Sequence, residues 1–290
     1  YTTLFRSLFT SIVSAIMTVE ITRFMMEKKL VIKLPDSVPE MVAASFSILL
    51  PLIVNVMIAT SISVGIQSFS GSVFPQWFMG ILAPAVSSMD TLPAILIVIF
   101  LTQLLWFFGL HGPGITSAVW VPFAVSYGAA NVAAYAAGEP VTHFFTFGFY
   151  YALLQVTGSG LTLGLVILMI RSKSKNFSSI GKAAIVPSLF GINEPVIFGA
   201  PIILNPYLFV PFVFGPLLIA CICYFSMASG LVGMPIAEPP SFMPPGLGAF
   251  LMTMDWKAVV LVFACLTLMT LIYLPFFKAM EAEELKKEAQ

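Results

Sequence analysis

The stretch Ser188–Pro206, SLFGINEPVIFGAPIILNP, decides how this chain is read. Its flanks are apolar, Gly191, Pro195, Gly199 and Pro201 interrupt them, and Asn193 and Glu194 sit at the centre. About 20 helical residues cross a bilayer's hydrocarbon, so an unbroken apolar run of this length would read as one spanning helix. Proline and glycine break that helix, and irregular backbone at membrane depth is tolerated only where protein or a water-filled cavity surrounds it. A carboxylate there is costly, and a functional site is its default meaning. The segment predicts a re-entrant hairpin whose Asn193 and Glu194 face a cavity.

The rest of the 290-residue chain suits that setting. It is 59% hydrophobic and 9% charged, against about 25% charged in a soluble domain. Long apolar runs cover Leu8–Met26, Met41–Ile66, Thr91–Phe108, Phe144–Ile170, Tyr207–Ser229 and Val259–Phe277. A membrane barrel would instead alternate in polarity over roughly ten-residue segments. The expected fold is all-α, with polytopic transmembrane helices and two re-entrant hairpins in a C-terminal transport domain. Residues 1–34 read as the end of an N-terminal transmembrane region, 35–280 as the substrate-binding transport domain, and 281–290 as a polar cytoplasmic tail. Glu20 and Arg23, three apart, share a helix face and can pair. Asn55, Ser61 and Ser63 point the second run toward other helices. Gly71–Met89, cut by Pro75 and Pro84, reads as an interfacial helix anchored by Trp77.

The second hairpin is expected within Gly109–Gly138, where Gly112, Pro113, Gly114, Pro122 and Gly128 interrupt an apolar run. Two interrupted hydrophobic segments are the best sequence pointer to a transported-substrate site. Each carries an ionisable residue, His111 in this segment and Glu194 in Ser188–Pro206. Trp106 lies five residues before His111 and offers a flat apolar face of the kind a sugar ring packs on. With Asn193 and the adjoining Gly112, these residues make the candidate site. A carboxylate, an amide and an imidazole supply donors and acceptors in pairs, which suits a neutral hydroxyl-rich ligand. An anion would call for Arg or Lys at depth, and none is there. Phe242 and Met243, in the Pro-rich loop, are candidates for shaping the pocket. Asp90, Glu139 and Glu238 read as solvated loop residues, and His143 as a helix-end residue.

Several classes are excluded. Zero net charge and the lack of a basic, aromatic-interleaved surface argue against nucleic acid. Cys221, Cys223 and Cys265 lie inside apolar runs, without redox spacing or a nearby histidine. No metal or cofactor is expected. TGSGLTLG, residues 157–164, follows no strand, so its Gly160 and Gly164 read as close packing rather than a nucleotide loop. Arg171, Lys173, Lys175 and Lys182 place their loop, and by parity the tail, in the cytoplasm. Lys28, Lys29 and Lys33 then fall outside, against the same rule. The chain opens at Tyr1 without a methionine or signal-peptide pattern and reads as part of a longer protein.

WFFGLHG (106–112), GSGLTLGLVILMIRSKSK (158–175), GINEPVIFGAPIILNP (191–206) and DWKAVVL…LIYLPFFK (255–278) resemble the sugar-transporting component IIC of the bacterial phosphoenolpyruvate-dependent phosphotransferase system. Within it they are similar to the lactose, cellobiose and chitobiose branch, over nearly the whole chain. The resemblance implies a multi-pass protein of the bacterial plasma membrane that binds a disaccharide outside and exposes it inward by alternating access. It then presents a sugar hydroxyl to a phosphorylated cytoplasmic IIB partner. It also implies that Glu194 and His111 contact the sugar near that hydroxyl, with Glu194 a candidate base. Related members are homodimers and carry further N-terminal spans. The residue types alone leave a rival open, a proton-coupled sugar symporter with Glu194 and His111 as proton relay.

Overall fold

The computed structural model describes residues 2–35, 38, 40–74, 77, 88–200 and 202–288. The chain forms two compact units, Tyr1–Ala85 and Val86–Gln290, whereas the sequence reading divides it after residue 34. In the first unit α1 (Thr2–Glu27) packs against α2 (Glu40–Ser70). Asn55 ties them by donating from Nδ2 to Thr22 Oγ1 at 3.0 Å. Arg23 reaches Glu20 at 2.6 Å, the pairing expected from their spacing. The interfacial helix expected over Gly71–Met89 lies mostly outside the described residues.

The described residues of the second unit form helices joined by loops and turns. Its elements are α3 (Leu92–Phe107), α4 (Gly112–Ala136) and α5 (Phe147–Phe149), which runs into a π-helical turn at Tyr150–Leu154. Then follow α6 (Leu163–Ile170), α7 (Lys175–Leu189), α8 (Glu194–Gly199), α9 (Pro206–Ala228), α10 (Leu247–Thr253) and α11 (Trp256–Glu288). Helices α9 and α11 pack together, α9 also meets α3, and α11 also meets α6. Buried Phe212, Ile219, Val262 and Met269 fill this core. Three described helices are long and apolar enough to cross a membrane: the bulk of α2, α9 and α11. Helix α11 runs on without a break into the polar tail.

One expected interruption is absent and one unexpected interruption is present. The expected hairpin over Gly109–Gly138 is a single helix, α4, which passes through Pro122. Its glycines serve close approach: a Cβ on Gly112 would overlap the Thr102 carbonyl of α3. Thr102 and Thr116 are also joined through their hydroxyls at 2.7 Å. The run Phe144–Ile170, expected as one span, is broken between the π turn and α6. There Gly158 (φ +85°), Gly160 (φ +83°) and Leu161 (φ +48°) take left-handed backbone. The freed backbone is satisfied from other segments. Tyr273 donates its hydroxyl to the Gly160 carbonyl at 2.8 Å, and Asn193 Nδ2 donates to the Ser159 carbonyl at 2.5 Å. Hydrocarbon would leave those carbonyls unpaired, so the break exists because α11 and the 191–194 turn cover it. The opening stretch itself folds as expected into a hairpin, α7 turning at Phe190–Asn193 into the short α8 that packs beside it.

Candidate functional site

Three chain reversals meet at one cavity. His111 is the N-cap of α4, and its Nδ1 accepts from the Gly114 backbone N–H at 2.9 Å. A ring nitrogen that accepts carries no hydrogen, so the imidazole proton sits on Nε2, a donor that the helix end leaves free for a ligand. Trp106, 3% exposed near the end of α3, lies against this ring with centroids 4.7 Å apart. Its Nε1 has no hydrogen-bond partner among the described residues. Glu194 opens α8, where the helix end favours negative charge.

A cavity of about 130 Å³ is lined by Trp106, His111, Gln155, Asn193, Glu194 and Phe242, among others, and includes no Lys or Arg. Asn193 is 3% exposed and gives both amide hydrogens to the broken segment, to the Ser159 carbonyl and to Thr162 Oγ1 at 3.1 Å. What it can still offer a ligand is its carbonyl oxygen. Gly112 does not line the cavity; it is buried against Thr102 and Trp106, where it lets α4 start close enough to place His111. Phe242 and Met243 do line it, and so do Tyr151, Gln155 and Ser159, which sequence reading missed. Gln155 is 6% exposed, and its Nε2 has no hydrogen-bond partner among the described residues. A lone amide inside the apolar 144–170 run was the available signal, hidden by reading that run as an unbroken helix.

The cavity thus sets a carboxylate acceptor among N–H donors from imidazole, indole and amide, beside aromatic faces. Such a lining can bind hydroxyls in pairs and pack against a ring, and it has nothing to neutralise an anion.

Three other sequence readings need correction or relocation. Asp90 is not solvated: its side chain is 13% exposed, and Oδ1 accepts from the backbone N–H groups of Phe144 (2.9 Å) and Phe145 (2.7 Å). Oδ2 meets His143 Nδ1 at 2.9 Å, and that ring stacks on Tyr127. His143 therefore fastens the 139–146 loop and lies outside the cavity lining. Glu238 is not a free loop residue either, since Oε2 accepts from the Gly148 N–H at 2.6 Å. Glu139 is exposed, as expected.

Comparison with known proteins settles the lineage. The family model described as phosphotransferase system, EIIC matches residues 2–216. This chain belongs to that family. It is 35% identical over 290 residues to the putative permease IIC component YwbA of Bacillus subtilis, and 32% identical over 289 residues to that organism's oligo-beta-mannoside-specific EIIC component. Each alignment covers 98% of this chain and 65% of the relative, so this EIIC chain spans about two thirds of the length of the curated relatives it matches. The crystal structure of the transporter ChbC, the IIC component of the N,N'-diacetylchitobiose-specific phosphotransferase system, superposes with a TM-score of 0.91. Identity there is 31%, over 98% of this chain and 67% of that one. The all-helical fold read from sequence is thus that of an EIIC transporter, and the family resemblance stands.

Proposed function

We propose that this EIIC chain carries a disaccharide of the cellobiose or chitobiose kind across the bacterial plasma membrane by alternating access, and presents one sugar hydroxyl to a phosphorylated IIB partner. The observation that carries the reading is the meeting of His111, Trp106 and Glu194, from separate segments, around one cavity free of cations. The relatives' names support a β-linked sugar: oligo-beta-mannoside and lichenan in Bacillus subtilis, and N,N'-diacetylchitobiose for the structural match.

Phosphoryl transfer asks the protein for alignment more than for covalent chemistry. In this proposal the sugar ring rests on Trp106, His111 Nε2–H donates to the reacting hydroxyl and sets its direction, and Glu194 accepts its proton. The new bond joins the sugar oxygen to phosphorus, while the bond from phosphorus to the partner's side chain breaks. Residues 35–280 act as the transport domain and 281–290 as a cytoplasmic tail. The working unit is a homodimer in the bilayer.

Sealed vesicles holding the complete protein, with or without phosphorylated IIB inside, test this. Sugar should accumulate as its phosphate only with the partner present. Accumulation of unmodified sugar driven by a proton gradient would replace the proposal with symport. Glu194→Gln should bind sugar better than Glu194→Ala yet phosphorylate it poorly, and normal phosphorylation would remove the base role. His111→Ala should weaken sugar binding in purified protein.

A further inference from the structure

The loop between α9 and α10, residues 229–246, brings Phe242 and Met243 to the cavity. Phe242 is 61% exposed and takes left-handed backbone at φ +63°. A non-glycine residue holds such a conformation only where its surroundings over-determine it. The fastening lies upstream, at Pro235–Glu238. Asn131 Nδ2 of α4 donates to the Pro235 carbonyl at 3.0 Å, and the backbone N–H groups of Ile236 and Ala237 both reach the Met252 carbonyl of α10. Glu238 completes the set. Its Oε2 accepts from Gly148 N–H, and its Oε1 lies against Gly128, where a Cβ would overlap it. A Cβ on Gly148 would likewise lie 3.0 Å from Oε2 and 3.1 Å from Pro239 Cδ. Two helices therefore present bare backbone to one carboxyl.

Pro239 and Pro240 follow at once, and their fixed φ angles make the next residues a stiff continuation of the anchor. Displacing Glu238 therefore shifts Phe242, four residues on. The residue as a whole keeps access to water, yet its carboxyl is enclosed enough that burial raises its pKa to about 7, against the opposing Gly148 N–H and Thr146 hydroxyl. A group that gives up part of its charge so readily is suited to a seat built from glycine backbone rather than from a cation.

We propose that Glu238 is a positioning residue for sugar binding: seated between Gly128 and Gly148, it holds the Pro-rich loop so that Phe242 and Met243 wall the cavity. The proposal rests on reading that cavity as the sugar site. It acts through the loop; Glu238 itself does not line the cavity.

The test is equilibrium binding of cellobiose and of N,N'-diacetylchitobiose to the complete purified protein. Glu238→Asp keeps the charge but withdraws the carboxyl by one methylene, and affinity should fall about tenfold, the order of one lost aromatic contact. Glu238→Gln keeps the reach and the acceptor, and should bind within about twofold of the parent. Glu238→Asp combined with Phe242→Ala and Met243→Ala should be no worse than those two loop substitutions alone, because the carboxyl works through those side chains. Parental affinity in Glu238→Asp, equal loss in Glu238→Gln, or additive losses in the combined variant would each overturn the proposal. If Glu238→Asp does not fold, Gly128→Ala pushes the same carboxyl from the other side and should show the same loss, with parental affinity again overturning it. Glu194→Ala separates the two levels. Binding lost there but intact in Glu238→Asp overturns the positioning role alone; binding intact in both overturns the cavity as sugar site and the inference with it.

Discussion

Helix α4 and the segment Phe147–Ile170 invert each other. The first contains Pro113, Gly114, Pro122 and Gly128, yet is one helix from Gly112 to Ala136. The second is strongly apolar, yet it turns through a π-helical turn and left-handed glycines before resuming as α6. The difference teaches that a break needs a partner more than a breaker. At α4 the helix carries on through its proline, and its glycines are used to bring α3 and the Pro-rich loop close. At residues 155–162 the Asn193 amide and Tyr273 hydroxyl wait for the freed carbonyls.

Four measurements would break or sharpen this contrast. Gly158→Ala should have the largest effect. The left-handed backbone costs a side chain about 1–2 kcal/mol, and the new methyl would overlap Asn193 at a further cost of about 1–3 kcal/mol. Thermal unfolding should show the loss, and sugar affinity should fall with it because Asn193 precedes Glu194; unchanged affinity would unlink the break from the site. Gly112→Ala comes next. It requires no left-handed backbone, so only the overlap with the Thr102 carbonyl acts, at about 1–3 kcal/mol. His111, its neighbour, should lose position, and a larger destabilisation than in Gly158→Ala would reverse the ranking.

The third measurement concerns support for the broken segment from outside. Glu288 accepts from Ser174 Oγ at 2.6 Å and from the Lys175 and Asn176 N–H groups at the start of α7, the helix packed on α6. The Ser174 hydroxyl and the Asn176 N–H hold its carboxyl below the ordinary value of 4.5. A depressed carboxyl stabilises the fold above its unfolded pKa and loses that contribution as pH falls through its folded value. Unfolding temperature should therefore drop more steeply below about pH 4.5 in the parent than in Glu288→Gln, and parallel profiles would remove the tail from this role. Pro122→Ala should do least. Helix α4 is already continuous there, so sugar affinity should stay within about twofold and stability should change by under about 1 kcal/mol.

Much of this was legible because polar groups in an apolar chain are conspicuous. Glu194, His111 and Trp106 were picked out by their company alone, and the structure gathers them at one cavity. Gln155 and Glu238 were not. Gln155 sits in a run whose composition is that of a plain span, and the breaking of that run depends on Asn193 and Tyr273, distant in sequence. Glu238 and Asp90 sit beside prolines in loops, where solvation is the ordinary fate. Their partners, Gly148 and the Phe144 and Phe145 amides, are backbone groups that no residue name reveals.

The sequence by itself determined the solvent, the all-helical class and the family, because hydrocarbon forbids unpaired backbone and leaves few ways to satisfy it. It also determined which side chains are too polar to be there without a use. Only the tertiary structure decided where the helices break and which glycines turn the chain rather than pack it. The reason is that a carbonyl can leave its helix only where another segment supplies a donor, and that supply is a property of the packed molecule.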